Sequence, residues 1–429
     1  MVHAPGRIVS EDARRVWPAP AVLADTHSMG VAVWILRRYE SRYSLLGAMA
    51  DELAEGFRAH GDDFDVIEGL PDGSRPGIFV FFNMPPAIEA IPAAVRRPGS
   101  RIACVQVLVD HPLSLATGIM DATSLLPNFR LLLPSIDGLH LLRLRWPRLM
   151  HGHLPHGIPR DALIDPRALD PAARAARGCD VVVAGSIHTE DELRALRWQL
   201  PQQAHAWVDE IVALMLAEPM LPFEQAVDLV AGGRGVVTGN WTTLAGLWRV
   251  VSAHLNRLQR IQMVEELHGL DVAVYGGEAW QDVCGGTVQY KGPAAYSEVA
   301  QVFAGGRVCL AWGPTQFEHT FSERLLLSMA AGCASLADDR YMIGQHFAFD
   351  GPEQSVEVFD ARHPAALRRA AEALLADPDR AASIARHGRE AVEAGHLWEH
   401  RVERIASIAA EAIGGGVTAA GSRPSRRSA

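Results

Sequence analysis

Four features common in other protein classes are missing from this sequence. No apolar run approaches the roughly 20 residues that cross a bilayer, and the opening MVHAPGRIVSEDARRVW lacks an apolar signal region. The segment AGGRGVVTGNW has no Gly-Lys-Ser/Thr after its glycines, which excludes a phosphate loop of that type. The cysteines form no CxxC pair and indicate reduced thiols of the core: Cys104, Cys179, Cys284, Cys309 and Cys333. We expect a cytoplasmic protein with no transmembrane segment.

Basic charge is also scarce. The 429 residues include 40 Lys and Arg against 50 Asp and Glu, a formal net charge of -10. Because phosphate neutralisation needs a basic face, this balance argues against a nucleic-acid-binding protein. The chain is too long for one ordinary core, and 48% hydrophobic with 21% charged residues is typical of a soluble enzyme. Two domains are therefore expected.

The first half of the chain alternates short apolar runs with helical patterns. VAVWIL, from Val31, is typical of a buried strand, and YSLLGAMADELAEGFRAHG follows with helical spacing. Continuous apolar strands separated by helices predict a parallel sheet covered on both faces. We place this first α/β domain at residues 29–157, after a loose arm at residues 1–28.

The second half repeats the alternation around an interruption. A strand near Asp180 is followed by the next strand candidate only at Asp271, which is too far for a simple crossover. The Leu-, Ala-, Arg- and Gln-rich residues between, 190–267, predict inserted helices. We place a second α/β domain at 158–396, a C-terminal helix at 397–414 and a disordered low-complexity tail at 415–429.

One stretch organises the second domain: EHTFSERLLLSMAAGCASLADD, residues 318–339. Ser322 is a suitable N-cap, Gly332 a suitable end, and the apolar residues between them predict a nearly buried helix. The N-terminus of such a helix presents backbone N–H groups and a positive dipole end, which together favour a phosphate.

The same stretch resembles the donor-binding helix of group 1 glycosyltransferases of the GT-B type, most closely the CgeB-like (spore maturation protein) branch. Four further segments fit in order, and with it they cover most of residues 179–405: DVVVAGS, DVAVYGGEAW, VQYKGPAAYSEVAQVF and DRAASIARHGREAVEAGHLWEHRVERI. The resemblance implies two doubly wound Rossmann-like domains facing a cleft. It also implies a nucleotide-sugar donor on the second domain, an acceptor on the first, and a last helix, from about Trp398, that crosses back to the first domain.

The residues after each strand are the candidates for donor binding, because ligands of open parallel sheets lie beyond the carboxyl ends of the strands. We predict that the helix end, its hydroxyls and Arg324 hold the diphosphate, while Glu318 or His319 faces the sugar. The alternative is a capped helix with solvated polar residues. The predicted donor-binding residues are Gly185, Ser186, Gly276, Lys291, Gly292, Thr320, Phe321, Ser322, Glu323 and Arg324.

The helix departs from the usual group 1 pattern at one position. The family commonly carries two glutamates eight positions apart, and alignment on MAAG places His319 and Leu327 there. Because Leu327 cannot hydrogen-bond a ribose, that contact is lost or supplied by another residue. Glu323, one turn earlier, is the nearest substitute, although it would also serve as a favourable charge at a helix N-terminus.

Asp110 and His111 close the strand RIACVQVLVD just before Pro112, where the family has an acidic pair followed by proline. Either residue could take the proton of an acceptor hydroxyl in an inverting transfer. The alternative is a turn before proline that Asp110 caps. With Glu318 and His319, these are the predicted catalytic residues.

A histidine-rich segment and a segment that alternates Leu with Arg are better explained by structure than by ligand binding. HGHLPHGIP carries His151, His153 and His156, but no carboxylate or thiolate stands at metal spacing, so we predict a hinge and no metal site. Upstream, LLRLRWPRL alternates Leu with Arg and could contact an anionic membrane or a lipid acceptor. It is short, and we favour a solvated sheet edge.

We therefore predict a metal-independent glycosyltransferase that uses a nucleoside-diphosphate sugar as donor substrate and has no other cofactor. The acceptor is unknown. Two alternatives stay open: a nucleotide-sugar epimerase of the same fold, and an inactive sugar-nucleotide-binding module, which Leu327 makes plausible.

Overall fold

A computed structural model describes residues 30–37, 45–83, 87–165, 178–232, 239–313 and 318–413. The arm predicted at 1–28 and the tail predicted at 415–429 lie outside these residues. Among the described residues, no helix is both long and apolar enough to cross a membrane. All five cysteines are unpaired thiols, and three of them are buried.

The first domain is built on a parallel six-stranded sheet with the strand order β2-β1-β3-β4-β5-β6. Its strands are β1 (Val31–Ile35), β2 (Phe64–Val66), β3 (Gly77–Phe82), β4 (Ile102–Val107), β5 (Phe129–Leu133) and β6 (His151–His153). Its helices are α1 (Leu45–Arg58), α2 (Ala93–Arg96), α3 (Thr117–Thr123) and α4 (Leu139–Arg145). The central strands β3 and β4 are buried along their whole length, as continuous apolar sequence requires when both faces of a sheet are covered.

The second domain is built on another parallel six-stranded sheet, ordered β12-β11-β10-β7-β8-β9. Its strands are β7 (Cys179–Ala184), β8 (Val272–Tyr275), β9 (Val288–Gly292), β10 (Gly306–Leu310), β11 (Ala334–Asp338) and β12 (Glu357–Phe359). Among the described residues, four helices lie between β7 and β8: α5 (Glu190–Trp198), α6 (Gln202–Ala217), α7 (Phe223–Ala231) and α8 (Trp241–Glu266). The remaining helices are α9 (Val299–Ala304), α10 (Glu323–Ala330), α11 (Ile343–His346), α12 (Ala365–Ala376), α13 (Pro378–Gly395) and α14 (Glu399–Ile413).

The predicted fold class is confirmed: two doubly wound parallel sheets face each other, with helices inserted in the second domain. The inserted helices have their own apolar core, which Leu113 and Leu141 of the first domain complete. Another core runs through both domains, because α14 packs on α1, β4 and β5 of the first. The rings of Phe82 and Trp398 meet there at 5.7 Å. Apolar contacts therefore bridge the two domains in two places and fix the cleft between them.

One structural expectation is wrong. The segment LLRLRWPRL does not form a sheet edge, because residues 139–145 form helix α4. Leu141 and Leu142 are buried, whereas Arg143 and Arg145 are exposed. A spacing of apolar residues that looks alternating over a few positions also fits one face of a short helix.

Candidate functional site

A cavity of about 280 Å³ lies at the carboxyl ends of the strands of the second sheet. The first domain reaches it through Leu45, at the start of α1. Five of the residues predicted to bind the donor line it: Gly185, Ser186, Gly276, Glu323 and Arg324. The structure thus brings together residues that are separated by as much as 139 positions in the sequence.

Two arginines converge in this cavity above Gly185. A Cβ atom on Gly185 would lie 2.6 Å from Nη1 of Arg260 and 2.8 Å from Nη1 of Arg324. Arg260 is buried in helix α8 and donates to the backbone oxygen of Ser186 at 2.5 Å. Burial, and secondarily the charge of Arg324, lowers the pKa of Arg260 well below its usual range. Two guanidinium groups placed this close together favour an anion between them.

One carboxylate of the cavity, that of Glu323, partly offsets the positive charge of this pair. The carboxylate of Glu323 lies 3.8 Å from Nε of Arg324, beyond hydrogen-bond distance. Nε of Arg324 is buried and has no hydrogen-bond partner among the described residues. A buried donor left without an acceptor is costly, so a ligand oxygen here would be stabilised.

Backbone, not side chains, shapes the floor of the cavity. Gly185 has a φ of +153°, and a Cβ on Gly276 would lie 2.3 Å from the oxygen of Gly185. Nε1 of Trp280 donates to that same oxygen at 2.7 Å. Gly276 is required because the loops after β7 and β8 touch each other directly, and Gly185 because of its positive φ.

Part of the cavity wall is apolar and includes Leu45, Ala294, Val299 and Leu327. Leu327 therefore faces the cavity at the position where the resemblance expects a glutamate. Glu323, the proposed substitute, lines the same cavity. The N-cap of α10 is Ser322, as predicted, but its hydroxyl makes no capping hydrogen bond.

Tyr296 joins this wall to a buried carboxyl group. Its hydroxyl lies 3.5 Å from Oε2 of Glu52 on α1, and Nε1 of Trp398 donates to that oxygen at 2.8 Å. Burial raises the pKa of Glu52 to about 8, although the hydrogen bond from Trp398 opposes the shift. Both domains and the segment before α14 thus meet beside the cavity.

Asp110 extends from the first domain, beyond the end of β4. Asn83, at the end of β3, donates to its carboxylate at 2.8 Å and accepts the N–H of Val109 at 2.9 Å. Asn83 has a φ of 47°, a left-handed conformation that is uncommon outside glycine and is often found at functional sites. Burial and, more weakly, the charge of Glu323 raise the pKa of Asp110.

His111 has a different environment from Asp110. Its ring lies 4.2 Å from the ring of Trp248 on α8, and the side chain is 2% exposed. Its Nδ1 accepts the N–H of Leu113, so His111, not Asp110, caps the turn at Pro112. Burial lowers the pKa of His111 to about 4, which keeps the imidazole neutral at neutral pH.

Glu318 and His319 lie against Asp137 of the first domain, outside the residues that line the cavity. Asp137 accepts the N–H of Glu318 at 3.0 Å and contacts Nδ1 of His319. Hydrogen bonding to Asp137 raises the pKa of His319, and burial raises that of Glu318 well above its usual range. Glu318 also accepts the N–H of Phe223 at 3.0 Å. These bonds join the two domains and the inserted helices.

Ligand atoms of Asp137, Glu318 and His319 lie within 4.8 Å of one another, close enough for a cation. Asp137 is already engaged through both oxygens, with Ser135 and the backbone of Glu318 on one and His319 on the other. The arrangement is that of an interdomain clamp, and the prediction of no metal site stays a prediction.

The remaining predicted donor-binding residues do not line the cavity. Thr320 donates to the backbone oxygen of Pro134 at 3.2 Å, and Phe321 packs between the rings of His346 and Phe347. Lys291 is exposed and donates to Gln289, and Gly292 accepts the N–H of Gly276 at 3.0 Å.

Sequence reasoning missed Arg260, Glu52 and Tyr296. A signal for Arg260 existed, since it lies three and four positions before Met263 and Val264, on the buried stripe of α8. A charged residue on such a stripe needs a partner or a ligand. Glu52 and Tyr296 gave no comparable signal in the sequence, because their hydrogen-bond partners are distant in sequence.

Residues 257–407, about a third of the chain, match the family model described as glycosyl transferase-like. The comparison with curated proteins found no match. The matched residues include both cavity arginines and strands β8 to β12.

Several solved structures are similar in fold at low sequence identity. The sucrose-phosphate synthase (tll1590) of Thermosynechococcus elongatus is 12% identical, with 89% of this chain and 98% of that chain covered and a TM-score of 0.49. The T4 phage BGT, in complex with its UDP-glucose substrate, is 10% identical, with 90% and 100% covered and a TM-score of 0.47. Anabaena Alr3699/HepE, in complex with UDP, is 10% identical, with 89% and 100% covered and a TM-score of 0.46.

Proposed function

We propose that this protein transfers a sugar from a nucleoside diphosphate to the hydroxyl group of an acceptor, and that it belongs to the CgeB-like branch. The observation that carries the proposal is the convergence of Arg260 and Arg324 above Gly185, within a cavity at the carboxyl ends of parallel strands. That is where open α/β sheets bind ligands, and two guanidinium groups match the charge and geometry of a diphosphate. The match of residues 257–407 supports the same reaction class.

In the proposed reaction, the acceptor oxygen forms a bond to the anomeric carbon while the bond from that carbon to the diphosphate oxygen breaks. Arg260 and Arg324 stabilise the negative charge that develops on the departing diphosphate. Groups fixed in advance around developing charge usually supply the largest single contribution to catalysis. The arginines supply this charge themselves, so the proposal includes no resident metal.

The acceptor hydroxyl loses its proton in the same step. Asp110 is the proposed base because it extends from the first domain, is held by Asn83, and is close enough to Glu323 to feel its charge. A carboxylate with a raised pKa is a stronger base than an exposed one, provided that the pH is high enough to ionise it. His111 is the weaker candidate, because Trp248 covers its ring.

The first experiment is a thermal-shift panel of nucleoside diphosphates, UDP included. A ligand at 100 times its Kd stabilises the folded state by about 2.7 kcal/mol, a readily measured rise in Tm. We expect one base to be preferred and inorganic phosphate to have a smaller effect. No shift with any nucleotide would contradict the proposal.

A second experiment separates the reaction classes. The preferred nucleoside diphosphate identifies the donor, which is incubated with and without candidate acceptors. Transfer or slow donor hydrolysis supports a transferase, isomerised donor supports an epimerase, and nucleotide binding without turnover supports the inactive module. Asp110→Asn should reduce turnover by about 10²- to 10⁴-fold without changing the Kd of the nucleotide.

A further inference from the structure

The amino-terminal edge of the first sheet carries a cluster of arginines on the side away from the cavity. In a parallel sheet the starts of the strands and the ends of the preceding helices meet at one edge. We call this surface the basic edge, formed by the ends of α2 and α4 and the starts of β4, β5 and β6. Its arginines are Arg96, Arg97, Arg101, Arg130, Arg143, Arg145 and Arg148.

Few carboxylates offset this charge. Arg96, Arg97 and Arg130 donate to backbone oxygens, and of the three only Arg130 has a described carboxylate, that of Glu411, acting on its charge. Between residues 117 and 150 the sequence has four arginines and two acidic residues, Asp121 and Asp137. Asp121 pairs with Arg145 at 3.1 Å, and Asp137 follows β5 at the opposite end of the strands. The basic edge is thus locally positive on a chain of net charge -10.

Large apolar side chains are exposed among these arginines. Leu125 is 73% exposed, Leu144 63% and Met150 57%. Leu144 stands between Arg143 and Arg145, and Met150 is two residues from Arg148. All three lie at the same edge, since Leu125 precedes β5, Leu144 is near the end of α4 and Met150 directly precedes β6.

We propose that the basic edge docks on an anionic lipid bilayer. Arginines attract the acidic headgroups, and the exposed leucines and methionine enter the boundary between headgroups and acyl chains. A nucleic acid would account for the arginines but not for apolar side chains placed between them, and a second copy of this acidic chain would offer poor charge complementarity.

This docking would leave the cavity open. The strands run from the basic edge to the cavity side of the first sheet, and six residues at about 3.3 Å each make about 20 Å. The membrane would therefore hold the cavity above its surface and would not cover it. This inference is independent of the proposed reaction, because no residue of the basic edge lines the cavity.

The test is cosedimentation of the full chain with phosphatidylcholine vesicles, with and without phosphatidylglycerol. We expect binding only to the anionic vesicles and loss of that binding at high salt, since screening weakens exposed charges. The double variant Leu144→Asp/Arg148→Glu should lower the fraction of protein bound to anionic vesicles about tenfold. The control, Leu229→Asp/Arg369→Glu, makes the same charge change at exposed positions of the second domain and should bind as the wild type does.

Urea denaturation of both variants shows that they are folded, and sedimentation without vesicles detects self-association. Equal binding by the two variants would overturn the proposal, as would no binding of the wild type to anionic vesicles. Binding to duplex DNA or heparin without binding to vesicles would overturn it in favour of another polyanion.

Discussion

The carboxylate of Asp137, on the first domain, holds the backbone and the imidazole of His319, on the second. It accepts the N–H of Glu318 at 3.0 Å and that of His319 at 3.3 Å, and it contacts Nδ1 of His319. Burial raises the pKa of Asp137 most strongly, but the hydrogen bond and charge of His319 and the hydrogen bond from Ser135 together outweigh burial, and the pKa lies below the usual value. One ionised side chain therefore fixes the turn before α10 to the opposite domain.

Removing this carboxylate should destabilise the protein. Asp137→Ala leaves buried N–H groups and a charged imidazole without their acceptor, and we expect a loss of about 3 kcal/mol in the free energy of unfolding. Urea denaturation measures the change. Asp191→Ala is the control, because its ion pair with Arg194 is exposed and should contribute at most about 1 kcal/mol. Equal effects of the two variants would rule out the clamp.

The arginine pair should determine nucleotide affinity. Arg260→Ala and Arg324→Ala each remove a charged hydrogen-bond donor, worth about 1.5 to 3 kcal/mol, so the Kd of a nucleoside diphosphate should rise by roughly 10- to 150-fold. Isothermal titration calorimetry gives the value. Arg249→Ala, at an exposed position of the same helix as Arg260, should leave it unchanged. If all three variants bind alike, the anion binds elsewhere.

Gly185→Ala should impair the same site without removing any charge. The new Cβ would lie 2.6 Å from Nη1 of Arg260, and the φ of +153° disfavours a side chain, so the arginines must move. We expect a lower Tm and at least a tenfold loss of nucleotide affinity, roughly the effect of one misplaced charged donor. Gly118→Ala, on helix α3 with nothing within 4 Å of its Cβ, should keep both. Wild-type affinity of Gly185→Ala would mean that the arginines do not bind the nucleotide.

Glu52 should make stability fall as the pH rises. Its pKa, raised to about 8 by burial, is well above the ordinary 4.5 expected in the unfolded chain. Between these values the folded protein keeps a proton that the unfolded chain releases, at a cost of up to about 1.4 kcal/mol per pH unit. Glu52→Gln should gain stability relative to the wild type across this range in urea denaturation. Glu55→Gln, at an exposed position of α1, is the control, and a gain of equal size there would refute the assignment.

His396 should have the opposite effect on the acid side. Burial and the charge of Arg401, whose guanidinium donates to Nδ1 at 3.0 Å, lower the pKa of His396 to about 3. The unfolded chain takes up this proton near pH 6.5, so stability should decline as the pH falls below 6.5. His396→Asn should reduce the decline in the free energy of unfolding by up to about 1.4 kcal/mol per pH unit. Measurement of Tm as a function of pH detects the change. His363→Asn, at an exposed position, should retain the decline, and an unchanged slope in His396→Asn would show that this histidine is not the cause.

The strands and the donor-side glycines could be predicted because their causes are local. Continuous apolar runs predict β3 and β4. The glycines after β7 and β8 could be predicted as donor-site residues because they stand at strand ends. The role of Arg260 could not be predicted in the same way, because its partners are at Ser186 and Arg324, on other elements. The surroundings of Asp110 and His111 differ for the same reason, since the ring that covers His111 comes from an inserted helix.

By itself, the sequence determined the alternation of strand and helix, the parallel sheets and the helix that begins after Ser322, because periodicity and capping act within a few residues of the chain. Only the tertiary structure decided which charges share a space: Arg260 beside Arg324, Asp137 beside His319, and Glu52 beneath Tyr296 and Trp398. Burial and electrostatic interaction depend on distance in space, and pairs that are far apart in the sequence leave no local pattern from which that distance can be inferred.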